Sequence, residues 1–152
     1  MTVKRPAEPD IPYATTLLVR DHCLCLHTQR AARALARRFD EAMRPIGLTS
    51  GQFSLLISLN RPEPPTLGSV ARLLAMDRTT LTANLKPLER RGLLVVAPDE
   101  TDKRARRLRL TEAGRALLRQ AVPIWDRTHV EVEAALSTVD PDRLRAGLTE
   151  LA

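Results

Sequence analysis

The residues with the most evident chemistry lie in two basic groups. Lys103, Arg104, Arg106, Arg107 and Arg109 crowd into one short stretch. In an extended strand alternate residues share a face, so Arg107 and Arg109 would lie opposite Leu108 and Leu110. An apolar back with a guanidinium front suits phosphate neutralisation, and an arginine at a strand tip can enter a minor groove. Asp102 stands beside Arg104, where it would orient the guanidinium through a charge-assisted bond. The second group is helical: at 100° per residue Leu81, Leu85 and Leu88 point one way, while Thr79, Thr82, Ala83, Lys86 and Arg90 point the other. Small side chains let a backbone approach a groove floor, and threonine offers a hydroxyl and a methyl to bases. Arg78 and Thr80, in the first turn, and Lys86 complete the set that would meet phosphates and base edges. Either group alone also reads as a solvated surface. Together they favour a nucleic acid.

A third cluster, His22-Cys23-Leu24-Cys25-Leu26-His27, carries thiols and imidazoles. If the segment is one helix, side chains two apart diverge by about 200°, which disfavours a Cys23–Cys25 disulfide. Cys23 with His27, and His22 with Cys25, stand one turn apart, a pairing that suits zinc or copper but lacks further ligands nearby. On the same wheel Cys25 falls at the edge of the apolar stripe and Cys23 near the polar side, and a buried cysteine is by default a small hydrophobe. A serine, histidine and aspartate order, a glycine-rich phosphate loop and paired carboxylates are all lacking, so neither catalysis nor a cofactor or metal is expected.

Composition agrees with a polyanionic partner. The 152 residues carry 24 Lys and Arg against 18 Asp and Glu, a net charge of +6, with 43% hydrophobic residues. That length predicts one domain with its own core. No apolar run approaches the roughly 18 residues needed to span a bilayer and the start lacks a secretion signal, so a cytoplasmic location without membrane contact is expected.

These groups need elements to hold them. Residues 1–12, with Pro6, Pro9 and Pro12 among charges, predict a flexible arm. A long helix is predicted from about Asp21 to Arg44, with Leu24, Thr28, Ala31, Leu35, Phe39 and Ala42 on one face and Arg30, Arg33, Arg37 and Arg44 opposite, ended by Pro45 and Gly47. Thr49 and Gln52 form a capping box for a second helix, with Leu48 and Phe53 as its staple. Pro62, Pro64 and Pro65 break the chain before Thr66 caps a third. Asp77 caps a fourth through Arg91, with Pro87 a potential kink, and Gly92 stops it. The tight turn between the last two predicts a helix-turn-helix. Leu93 to Ala97 and Arg104 to Leu110 then predict a hairpin with a polar tip. Thr111 opens a fifth helix to about Leu136, bent at Pro123, and Asp140 with Pro141 opens a last one. The fold class expected is mainly α with a small β-wing: a winged helix-turn-helix flanked by long terminal helices. Their apolar residues, among them Leu117, Leu118, Ala121, Trp125, Val132, Leu136, Leu144 and Leu148, exceed what so small a lobe can cover, which favours a dimer.

The stretches Leu48 to Phe53, Asp77 to Thr82, Leu88 to Leu93 and Asp102 to Gly114 jointly resemble the MarR family of winged-helix transcriptional regulators, from Asp21 to the C-terminus. The resemblance implies a domain over 13–152, with a DNA-binding lobe at about 48–111 and dimerisation helices at about 21–46 and 112–152. It implies a homodimer with two recognition helices in successive major grooves and Arg104 in a minor groove, partnered by Asp102. Ala83 and Asn84 depart from the larger residues often found there, so the bases read stay open. Family ligands are small organic molecules held between the dimer helices and the winged helix, which nominates His27, Arg30, Phe53, Trp125 and His129. A peroxide-sensing branch of the family has a reactive cysteine where Cys25 stands, with an arginine at the place of Arg33. The tyrosines of that branch have no counterpart here, where Gln29 occupies the next turn. The expectation is therefore a double-stranded-DNA-binding regulator, a repressor released by a small organic effector and acting as a homodimer on a pseudo-palindromic operator. The alternative is a thiol-based redox-sensing regulator or thiol enzyme using Cys25, with Cys23 as a second candidate.

Overall fold

A computed structural model describes residues 10–102 and 104–152, so most of the expected arm, and Lys103, lie outside the described residues. The order of elements is α1 (Tyr13–His22), α2 (Leu24–Met43), a short 3-10 turn (Arg44–Ile46), α3 (Ser50–Ser58), α4 (Leu67–Leu73), α5 (Arg78–Arg90), β1 (Leu94–Pro98), β2 (Arg106–Leu110), α6 (Glu112–Ala134) and α7 (Pro141–Glu150). The chain divides into two compact units, one ending at Leu35 and one spanning Ala36–Ala152.

In the N-terminal unit the structure corrects the expected start of the first helix. Tyr13–His22 is already helical, and the chain breaks at Cys23, which is extended (φ −76°, ψ 105°). The apolar periodicity that located α2 is weak in α1, which buries no residue. The break also removes the premise used against a Cys23–Cys25 disulfide, because the two residues do not share one continuous helix. Both thiols are free, and their exposure reverses the expectation: Cys23 is half-buried and Cys25 exposed.

In the C-terminal unit the capping residues act as their types dictate. Thr49 and Gln52 exchange side-chain and backbone bonds in a complete capping box. Thr66, Asp77, Thr111 and Asp140 each accept a hydrogen bond from the backbone N–H three residues on. Gly47 and Gly92 take positive φ (67° and 68°) at the ends of helical segments, and Ala75 does the same (φ 50°) in the turn between α4 and α5. Helix α5 continues through Pro87 and α6 through Pro123. One apolar core joins Met43, Phe53, Leu56, Val70, Leu81, Leu85, Leu88, Leu94, Leu108 and Leu118, so leucines from the helix-turn-helix and from the hairpin leave water together.

The hairpin is antiparallel, with Leu94 opposite Leu110 and Pro98 opposite Arg106. Its second strand begins at Arg106 rather than Arg104, because Asp99 N–H donates to the Ala105 carbonyl at 3.0 Å and closes a turn ahead of the strand. A third segment lies against β2: the Pro65 carbonyl accepts from Leu108 N–H at 2.9 Å, and Thr66 forms an antiparallel bridge with Arg107. The wing root is also fixed to α6. Thr111 N–H donates to the Leu93 carbonyl at 3.1 Å, and a Cβ on Gly114 would collide with that same carbonyl oxygen. Only glycine permits this approach.

Candidate nucleic-acid interface

Helix α5 buries Leu81, Leu85 and Leu88 and exposes the opposite face. Arg78, Thr79, Thr80, Thr82, Ala83, Lys86 and Arg90 are all exposed. Among the described residues Arg78, Lys86 and Arg90 enter no ion pair, so their charge faces solvent. The threonines differ among themselves. Thr80 donates both its N–H (2.8 Å) and its hydroxyl (2.6 Å) to Asp77, which holds the Asp77 carboxyl below its ordinary pKa, the hydroxyl bond being the largest cause. The Thr82 hydroxyl donates to the Arg78 carbonyl at 2.7 Å, a local bond within the helix. Thr80 therefore serves as much to start α5 as to meet a ligand.

The wing sorts its arginines. Arg104, Arg106 and Arg109 are exposed, whereas Leu108 and Leu110 are buried, the alternation a strand dictates. Arg107 is half-buried and already engaged: its Nε donates to Asp99 Oδ2 and its Nη1 to the Pro64 carbonyl at 2.9 Å. The expected pairing of Asp102 with the Arg104 guanidinium takes another form, because Asp102 Oδ1 accepts the backbone N–H of Arg104 at 2.9 Å. The carboxylate that does grip a guanidinium is Asp99, 7% exposed, which sequence reasoning passed over. Hydrogen bonds from the Thr101 hydroxyl, Arg107 and the backbone of Thr101 and Asp102 hold it well below the usual carboxylate range. The signal was present: an aspartate followed two residues on by threonine is a turn former.

The C-terminal unit also contains a cavity of about 710 Å³. Phe39, Met43, Phe53, Ile57, Leu74 and Trp125 line it, with Ser54, Asn60 and Arg61 among its polar residues. Its size and mostly apolar wall suit a small organic molecule. Of the five nominated ligand residues, Phe53 and Trp125 line this cavity. His129 joins them in a stack, its ring 4.8 Å from that of Trp125, which in turn lies 6.3 Å from Phe53. His129 also contacts Glu133 at 3.0 Å. His27 and Arg30 belong to the N-terminal unit, where both are exposed. Sequence reasoning missed Phe39, Met43, Ile57 and Arg61, which helical periodicity assigns to core or surface without distinction. Cys25 accepts a hydrogen bond from Gln29 Nε2 at 3.3 Å. Among the described residues no group of three or more His, Cys, Asp and Glu could hold a metal, and no helix is long and apolar enough to cross a membrane.

Known proteins share this arrangement. Residues 46–105 match the model of the MarR family. The transcriptional repressor MprA of Escherichia coli (strain K12) is 31% identical over 137 residues, covering 89% of this chain and 74% of the relative. The organic hydroperoxide resistance transcriptional regulator of Bacillus subtilis (strain 168) is 30% identical over 101 residues, 66% of this chain and 69% of that one. The crystal structure of the M. tuberculosis transcriptional regulator MosR in complex with DNA superposes with a TM-score of 0.78 at 40% identity, covering 86% of this chain and 93% of that one. With a helix-turn-helix, a basic wing and relatives of this similarity over most of its length, the chain belongs to the MarR family of winged-helix DNA-binding transcriptional regulators.

Proposed function

We propose that the chain is a sequence-specific repressor that binds a pseudo-palindromic operator as a homodimer and is released by a small organic effector. The observation that carries the DNA-binding part is the exposed face of α5, where Arg78, Thr79, Thr82, Ala83, Lys86 and Arg90 stand on a helix anchored by three buried leucines. Such a face enters a major groove with its small residues toward the bases and its cations toward phosphates. Arg104 and Arg106 of the wing reach the flanking backbone and minor groove, with Lys103 beside them in sequence. Arg107 serves the wing's own architecture. Dimerisation through the terminal helices is supported by Leu18, Leu24, Leu144, Leu148 and Leu151, which a lone chain leaves 37% to 69% exposed. The effector site is the cavity between α3 and α6, whose occupation would favour a protein state that fits the operator less well. Repression is the activity named for the Escherichia coli relative.

A mobility-shift assay across promoter fragments of the source genome tests this reading. A specific complex is expected at low salt, with affinity falling steeply as salt rises. Arg104→Ala should weaken the complex at least tenfold and lower the salt slope by about one. No specific complex at low salt would refute the reading.

A second reading, a thiol-based redox regulator, is favoured by the exposed thiol of Cys25, which accepts a bond from Gln29, and by similarity to a hydroperoxide resistance regulator. Cys25→Ser should then keep operator binding and lose its sensitivity to an organic hydroperoxide. Equal sensitivity in the variant and the parent would dismiss this reading.

A further inference from the structure

Asp99 plays no part in the proposed DNA contacts, yet it is the most completely bonded carboxylate of the wing. It is 7% exposed, and an ionised carboxylate leaves water at a cost unless donors replace the lost solvent. Its Oδ1 accepts from the Thr101 N–H at 2.8 Å, the Thr101 hydroxyl at 2.7 Å and the Asp102 N–H at 3.0 Å. Its Oδ2 accepts from Arg107 Nε. Beyond these partners the network continues both ways. Arg107 Nη1 donates to the Pro64 carbonyl at 2.9 Å, on the segment that pairs with β2. Asp102 Oδ1 accepts the Arg104 N–H at 2.9 Å. A bonded line thus runs from Pro64 through Arg107, Asp99 and Asp102 to the backbone of Arg104.

We propose that Asp99 is the positioning residue of the wing: through Arg107 it ties the tip to Pro64, and through Asp102 it fixes the backbone from which Arg104 reaches DNA. The proposal rests on the reading of the wing as a DNA-contacting element. Its physical content is preorganisation. An arginine on an unconstrained tip must lose backbone freedom when it binds, and that entropy is subtracted from affinity. With the tip already ordered, the loss is incurred at folding. Asparagine cannot substitute, because its amide group turns a donor toward either Arg107 or the three donors of the tip, where only an acceptor fits.

The test is a double-mutant cycle with the full chain and a fluorescent duplex chosen from the promoter fragments that the parent protein retards. Asp99→Asn should lower affinity about tenfold, the scale of one lost charge-assisted contact. In the Arg104→Ala background the same change should cost less than about twofold, because Asp99 acts through Arg104. In a Lys86→Ala background the tenfold loss should persist. Hydrogen exchange supplies a second readout: the Thr101, Asp102 and Arg104 amides should exchange faster in Asp99→Asn, with the α5 amides unchanged. If Asp99→Asn fails to fold, Arg107→Lys takes its place, since an ammonium cannot bond Asp99 and Pro64 together in the guanidinium's fork geometry. Losses that multiply for Asp99 and Arg104, or unchanged tip amides, would overturn the proposal while leaving DNA binding intact. A parent protein that retards no duplex would overturn the DNA-binding reading, and the proposal with it.

Discussion

Helix α5 and the wing hold their basic side chains by different means. In α5 the ordering bonds are local: Asp77 caps Thr80, Thr82 bonds to Arg78, and three leucines at helical spacing fix which face points outward. In the wing the local bonds around Asp99 are joined by others that span the chain. Arg107 reaches Pro64, Leu108 pairs with Pro65, and Thr111 closes on Leu93. A helix thus carries its own frame and needs neighbours only for its apolar side, whereas a two-stranded ribbon is marginal alone and borrows order from what surrounds it. Changes within α5 should accordingly act locally, and changes around the wing should act at a distance.

The largest test of that contrast is Gly114→Ala. A methyl there would strike the Leu93 carbonyl, so helix and strand must part, and urea unfolding should show a loss of about 3 kcal/mol. Tolerance of the methyl would show that the wing root is looser than this contact implies. Acid provides a smaller and more selective challenge. Asp99 has its folded pKa depressed by the Thr101 hydroxyl first and Arg107 second, so its contribution is complete above the ordinary carboxylate range. It is lost progressively as pH falls below that range toward the depressed value. Amide protection at the wing tip should therefore persist through mildly acid solution and fail only below the ordinary carboxylate range; failure near neutrality would sever the tip from Asp99. The smallest effect belongs to the helix-turn-helix itself. Ala75 adopts φ 50° between Leu74, whose N–H donates to Val70, and Met76, whose N–H donates to Ala71 at 2.9 Å, a helix end that favours glycine. Ala75→Gly should raise stability by about 0.5 kcal/mol, measured as a higher urea midpoint with an unchanged slope.

The same contrast explains what could be read from the sequence. The caps at Thr49, Thr66, Asp77, Thr111 and Asp140 were visible because a cap is a matter of three or four neighbouring residues, and the leucines of α5 were visible through their period. Composition cannot show that one arginine of a basic strip, Arg107, turns inward to meet Asp99 and Pro64. Asp102 beside Arg104 makes the same point: adjacency in sequence names a partner but not which atoms meet. Helix α1 escaped notice because it buries nothing, leaving no apolar stripe to detect. The cavity mixes residues of α2, α3, α4 and α6, and its lining becomes apparent only when these helices are assembled.

The closure of Gly114 on Leu93 also has a mechanical reading. Because the wing root is bolted to the first turn of α6, the 23 residues of that helix form an arm about 34 Å long with the wing at one end. A tilt of about 5° about its far end would carry the wing root through about 3 Å, several times the slack of a hydrogen bond. Leverage of this kind would let a modest repacking beside Trp125, partway along the arm, be amplified where Arg104 stands.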